Sequence, residues 1–290
     1  MPFKLLSFVE ILPMDARFLP ARKLMIEGDA EGLKRLLAAE PELATARSSC
    51  SHPTLMQCLV LDGRGKSQLE SMIKTLAGHG SPLTDPLIAA ASADNPLGIA
   101  ILLDLGADID GNGHWSPLEE ALYWGHPACV DLLVQRGAAI NRLRKAAGLG
   151  RRDLIAQCFG DDGQLTPLAG EMAWPFGNNF PDKLRHDRQS IIDNALIYAA
   201  AWGHIDALDD LLNHGANLHA IPPGFDFAGT ALHYAALQNQ REMAHHLLEL
   251  GADPQALDTK VKTMPENWAQ HGGHHDLAQW LRAHREAQAS

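Results

Sequence analysis

Apolar positions along the chain fall into short helical runs that come in pairs. The second run of a pair carries Leu36-Leu37, Leu102-Leu103, Leu133-Val134, Leu211-Leu212 or Leu247-Leu248, and stops at Pro41, Gly106, Gly137, Gly215 or Gly251. Glycine just past a helix end satisfies the last carbonyls at little steric cost. The first run is alanine-rich, as in Ala89-Ala90-Ala91, Ala146-Ala147, Ala199-Ala200-Ala201 and Ala235-Ala236, so neighbouring first helices can approach closely. Gly28, Asp94, Gly125, Gly150, Gly203, Asn239 and Gly273 stand between the two runs. These residue types best tolerate the left-handed backbone of a tight inter-helix turn. Asp85, Ser116, Asn141, Asn194 and Thr230 stand at the start of first runs, where a side-chain oxygen can cap the free N–H groups of the first turn. Pro86 and Pro117 follow two of these starts, and Pro265 follows Met264, where a missing N–H costs nothing. The pattern predicts about eight helix pairs of roughly 33 residues, starting near Pro20, His52, Asp85, Ser116, Asn141, Asn194, Thr230 and Met264.

Spacing between starts marks the irregular places. Asp85 to Ser116 is 31 residues, but Ser116 to Asn141 is only 25, which leaves the connection G-A-A-I-N. Asn141 to Asn194 is 53, so an insertion is expected at about 160–193. Its core, residues 166–190, is rich in Pro, Gly and Asn and predicts an irregular loop. It also carries Trp174, Phe176 and Phe180, which a disordered linker usually lacks. Two readings stay open: a lid folded over the neighbouring repeats, or a loop that contacts a ligand. Residues 220–229, with Pro222-Pro223-Gly224, predict a rigid turn followed by Phe225, Asp226 and Phe227. In an extended arm the two rings alternate with the carboxylate; the competing reading is that one or both only cover the groove between repeats. The Gly63-Arg64-Gly65-Lys66-Ser67 string lengthens the turn of the second pair and lacks the glycine spacing of a phosphate loop.

Residues 229–259 contain T-x-L-H-x-A-A followed by a helix ending in L-L-x-x-G-A-D. This resembles the ankyrin repeat, and the resemblance extends over roughly 20–285. It implies an all-α ankyrin-repeat solenoid of about eight helix pairs, with short hairpin fingers and one long inserted loop. Residues 1–19 are then an N-terminal arm or cap, and 20–290 one repeat domain. The resemblance also implies a non-catalytic protein-binding scaffold or adaptor, recognising its partner through a concave groove and loops. The groove is lined by the two residues before each turn residue and by the finger tips. By register those slots are Ser92-Ala93, Tyr123-Trp124, Gly148-Leu149, Ala201-Trp202, Leu237-Gln238 and His271-Gly272, and Tyr123, Trp124, Leu149, Trp202 and Leu237 among them form an apolar and aromatic stripe where small or polar residues are usual. Exposed apolar patches of this kind mark contacts, and Trp and Tyr dominate binding hot spots. With Trp174, Phe176, Phe225, Asp226 and Phe227 they form the candidate partner-binding set. The competing reading is that the insertion covers the stripe as an internal lid.

The net charge of −11 disfavours nucleic acid, which demands a basic face, and suits a basic protein partner. No run of 18 apolar residues is present, so no membrane span is expected. The start, M-P-F-K-L-L-S-F-V-E-I-L-P, is interrupted by Glu10 and reads as a packing arm rather than a signal peptide. Cys50, Cys58, Cys129 and Cys158 are scattered without C-x-x-C, as expected of small core residues in a reducing, cytoplasmic setting. A monomer is expected, with no cofactor. Most of the 15 histidines fall in structural slots of the repeat: His126, His204 and His274 after a turn glycine, His214 before a stop, His233 in T-x-L-H. The H-G-G-H-H-D string at 271–276 brings His271 and His275 near a glycine turn but lacks metal-binding helix spacing, so no metal is expected. The reading from another class is an enzyme or small-molecule binder with a pocket between the 166–190 insertion and the groove. A third, an inhibitor of a basic toxin, fits the charge alone.

Overall fold

The computed structural model describes residues 15–49, 53–63, 65, 67–113, 115–173, 182–226 and 228–288. Trp174, Phe176, Phe180, Phe227, the 1–14 arm, His52, Arg64 and Lys66 lie outside the described residues. The described chain is all-α, and its one strand-like contact is an isolated antiparallel bridge between Phe159 and Leu165.

Contacts divide the chain between Ala139 and Ile140 into two compact units. That boundary falls in the connection whose short spacing the sequence singled out. The first unit holds α1 (Leu19–Glu27), α2 (Ala30–Ala39), α3 (Leu55–Asp62), α4 (Leu69–Gly78), α5 (Thr84–Ser92), α6 (Pro96–Asp104), α7 (Pro117–Trp124) and α8 (Pro127–Gln135). Here α1, α3, α5 and α7 stack in series, and α2, α4, α6 and α8 form the second row. The second unit holds α9 (Leu143–Gly148), α10 (Arg152–Gln157), α11 (Asp182–Arg185), α12 (Arg188–Ala201), α13 (Ile205–Asn213), α14 (Ala231–Leu237), α15 (Arg241–Glu249), α16 (Pro265–His271) and α17 (His275–Gln288). In this unit α9, α12, α14 and α16 stack in the same way. First helices are buried on nearly every side, as in Ser190–Ala201 of α12 and Ala231–Ala236 of α14. Alanine is what makes this possible, because two neighbours must approach the same short helix.

All seven expected turn residues have left-handed backbone, including the non-glycines Asp94 (φ 50°) and Asn239 (φ 56°). Gly150 illustrates the second demand on this position. A Cβ there would fall 2.7 Å from Nδ1 of His204, so the imidazole of the next repeat occupies the space a side chain would need.

Helix starts agree with the sequence in part. Ser116 caps α7 in a reciprocal box with Glu119, and Thr230 caps α14 in a box with His233. Thr54, two residues past the expected start, caps α3 with Gln57. Second helices add Asp29 and Asn95 as caps, and Asn95 also donates from Nδ2 to the Val60 carbonyl of the previous pair at 2.8 Å. Three expected caps are displaced. Asp85 lies inside the first turn of α5, whose N-cap is Leu83. Asn141 precedes the true N-cap of α9, Arg142, which is extended (φ −147°, ψ 145°), and Asn141 Oδ1 instead accepts from Lys145 Nζ at 3.1 Å. Asn194 is 2% exposed in the middle of α12, because that helix begins earlier at the Asp187 cap.

The longer α12 shortens the insertion, and the base of the insertion is anchored. Met172 is 1% exposed and its N–H donates to the Arg185 carbonyl at 2.8 Å. The Glu171 carbonyl accepts from Arg144 at 2.8 Å and Arg142 at 3.3 Å, and its carboxylate lies 3.4 Å from Arg185.

The connection between α15 and α16 is organised by Asp258, fully buried. Its carboxylate accepts from the N–H groups of Lys260, Val261 and Thr263, the Thr263 hydroxyl and the Trp268 indole. Burial alone would raise its pKa, but the hydrogen bonds, led by Thr263, hold it well below the usual carboxylate range.

Two outcomes follow from these contacts. Ser116→Ala should cost about 0.5–2 kcal/mol in a denaturant titration, whereas Asp85→Ala should shift the midpoint little. Asp258→Asn should destabilise by a few kcal/mol (order of magnitude) through orphaned buried donors. The depressed pKa puts the ionised-state contribution above the ordinary aspartate value, about 4, and removes it as pH falls below that. The gap between Asp258→Asn and the parent should therefore narrow in acid, read from melts at pH 3 to 7.

Candidate functional site

The end of α7 gathers three aromatic rings around one carboxylate. Residues 115–124 read W-S-P-L-E-E-A-L-Y-W, so Glu120 and Trp124 are four apart and share a helix face. Glu120 Oε1 accepts from Trp124 Nε1 at 2.7 Å, and Oε2 accepts from Trp115 Nε1 at 2.5 Å. Tyr123 meets both indoles edge to face, with ring centroids 6.2 Å from Trp115 and 5.1 Å from Trp124. Trp115 is buried, while Tyr123 and Trp124 are half-buried. Burial pushes the Glu120 carboxyl up to about 7, against the opposing hydrogen bonds of Trp124, Trp115 and Ser92. Sequence reasoning found Tyr123 and Trp124 but missed Trp115 and Glu120. The i, i+4 spacing was visible, but the burial of the acid was not.

In the second unit, Leu149, Trp202 and Leu237 sit at the same ends of the stacked helices α9, α12 and α14. All three are half-buried, so these side chains expose part of their apolar surface beside the turns. Asp226 Oδ1 lies 3.1 Å from Lys260 Nζ, joining one finger to the next. The structure moves Phe225 off the candidate surface. It is 5% exposed, and its ring packs between Tyr198 at 5.4 Å and Tyr234 at 4.8 Å. Its neighbours supply the reason: two tyrosines on successive first helices leave a slot that one ring fills. Among the described residues, the most exposed large apolar ones lie elsewhere, at Leu19, Ile26, Leu97, Leu105, Val134, Leu250, Leu257 and Val261.

His126 Nε2 lies 3.1 Å from the Ser92 carbonyl, and His233 Nε2 lies 3.1 Å from the Thr263 carbonyl. Burial lowers the pKa of His204 and His233. Cys58, Cys129 and Cys158 are buried thiols, and burial pushes Cys158 up to about 11. Among the described residues no group of three His, Cys, Asp or Glu side chains could hold a metal ion. No helix among them is long and apolar enough to cross a membrane.

A family model described as ankyrin repeats (3 copies) matches residues 48–144 and 178–258. The chain belongs to the ankyrin repeat family. It is similar to ankyrin repeat and SOCS box protein 6 of Homo sapiens, with 40% identity over 77 residues, 27% of this chain and 18% of that protein. It is also similar to the ankyrin repeat domain-containing protein SAT10 of Stachybotrys chartarum, with 27% identity over 214 residues, 71% of this chain and 10% of that protein. The chain thus spans less than a fifth of these relatives' length. Among solved structures, the human ASB11 ankyrin repeat domain matches at 18% identity and a TM-score of 0.42, covering 90% of this chain and 97% of that one.

Glu120 makes a testable contribution to stability. Its folded pKa is raised, so the stability it confers is complete below the unfolded value and is lost as pH rises toward 7. Glu120→Gln keeps the shape and an acceptor but cannot ionise. Relative to the parent it should gain stability between pH 4.5 and 7, by on the order of 3 kcal/mol in total, and level off above. Parallel pH profiles for the two proteins would remove this role.

Proposed function

We propose that this ankyrin-repeat protein is a non-catalytic scaffold that recognises a protein partner through the half-buried side chains beside its inter-helix turns. Ankyrin repeats are generally protein-interaction scaffolds, and the finer reading concerns which surface is used. The observation that carries it is Trp124. Its indole N–H is fixed to Glu120 while part of the ring stays open to solvent. A large ring already held in one orientation loses little entropy on binding, the property that favours Trp and Tyr at hot spots. Tyr123, Leu149, Trp202 and Leu237 extend the same reading to other turn-adjacent positions. The net charge of −11 supports a partner with a basic face, through steering and register more than through raw affinity. A monomer in a reducing, cytoplasmic setting is part of the proposal, in keeping with the buried thiols.

The experiment is affinity capture from native lysate, followed by binding measurements with the captured protein. Trp124→Ala with Trp202→Ala should weaken binding by 2 kcal/mol or more, on the order of one strong hot spot. Because Trp124 also serves the buried Glu120, a melt must accompany the measurement, and Tyr123→Ala with Leu237→Ala gives a second pair that spares that bond. Normal binding by both folded double variants would exclude these side chains.

A further inference from the structure

Glu120 is a buried acid that the fold leaves without a cation. It is 6% exposed, and among the described residues no Lys, Arg or His side chain forms an ion pair with it. Donors hold its two oxygens instead: Trp124 Nε1 on Oε1, Trp115 Nε1 on Oε2, and the Ser92 hydroxyl of α5. An indole N–H can only donate. This arrangement suits a carboxylate, which accepts at both oxygens. A carboxylic acid has a proton of its own to place.

A proton on Glu120 therefore changes the count of bonds. The acid keeps one good acceptor oxygen and gains one O–H donor. Ser92 can turn to accept that donor, because a hydroxyl works in either sense. The two indoles then compete for the remaining oxygen, and burial decides between them. Trp115 is 6% exposed, and a buried N–H left without an acceptor keeps the full cost of its lost hydration. Trp124 is half-buried, so its N–H is the one that can turn toward water.

We infer that Glu120 is a proton-operated latch: its carboxylate fixes the Trp124 indole, and a proton on that carboxylate opens the bond. Burial already places the Glu120 carboxyl at about 7, so both positions of the latch are populated near neutral pH. The consequence for binding rests on the reading that Trp124 belongs to the recognition surface. Above neutral pH the ring is held ready. Below it a partner must first order the ring, which weakens binding. The other titratable groups nearby are bonded elsewhere. Glu119, on α7 itself, adds like charge but is tied to Ser116. Asp94, in the turn after α5, accepts from Cys129 Sγ of α8 at 3.7 Å. His126, at the head of α8, has Nε2 3.1 Å from the Ser92 carbonyl, so its titration must be told apart from that of Glu120.

Indole N–H resonances of the full chain, carrying isotope-labelled tryptophan, read the latch without any partner. The Trp124 signal, assigned by its loss in Trp124→Phe, should move upfield on acidification with a midpoint near 7, and the Trp115 signal should move less. In Glu120→Gln the Trp124 signal should stay constant over the same range. An invariant Trp124 signal in the parent overturns the inference. So does a titration that survives in Glu120→Gln, which assigns the proton to another group such as His126. If Glu120→Gln does not fold, the carboxyl carbon resonance of Glu120 in the parent takes its place. Its midpoint should coincide with that of Trp124, and a clearly separate midpoint overturns the inference. The recognition surface stands or falls separately. If Trp124 titrates as stated while folded Trp124→Ala/Trp202→Ala binds the captured protein normally, the latch stands and the surface reading fails.

Discussion

The left-handed residue between paired helices is the constraint on which the rest depends. It reverses the chain in two or three residues, so the second helix can lie back along the first. It also frees the following residue to reach a neighbour: Asn95 bonds the Val60 carbonyl, and His126 the Ser92 carbonyl. The stacking of first helices then needs only small side chains on their flanks, which the alanines supply. Seven of the eight pairs use this turn at the expected place. The second pair uses a longer one, in which Gly63 has φ of −91° and Gly65 turns left-handed.

Turns and paired leucines were legible because each is a local demand on one or two residues. Caps were legible only where the helix start is also local. Ser116 and Thr230 close reciprocal boxes within three residues of themselves. Asn194 fails because longer-range contacts decide where α12 begins. Arg188 donates to the carbonyls of Gly163 and His214, and Gln189 to that of Gly215, so the helix gains more than a turn before the counted start. Asn141 fails because Arg142 stays extended and gives its guanidinium to the insertion. The spacing of starts marked the short connection at 137–141, but not that the chain divides there into two compact units.

The candidate surface shows the same division between local and distributed information. Register placed Tyr123, Trp124, Leu149, Trp202 and Leu237 beside turns, and they are beside turns. Phe225 was misplaced because its burial depends on Tyr198 and Tyr234, which lie 27 residues before it and 9 after it in sequence. Glu120 went unnoticed for a related reason. A glutamate on a helix reads as a solvated residue until two indoles, one on each side, are seen to enclose it.

The buried thiols carry a consequence of a kinetic kind. Cys58 lies in α3, Cys129 in α8 and Cys158 just beyond α10, each inside a different helix pair. An alkylating reagent reaches such a sulfur only when its own pair opens. The raised Cys158 pKa also leaves little thiolate for the reagent while the pair stays shut. Modification rates at the three sulfurs therefore time the opening of three separate stretches of the stack. The native sequence reports on its own breathing without an added label.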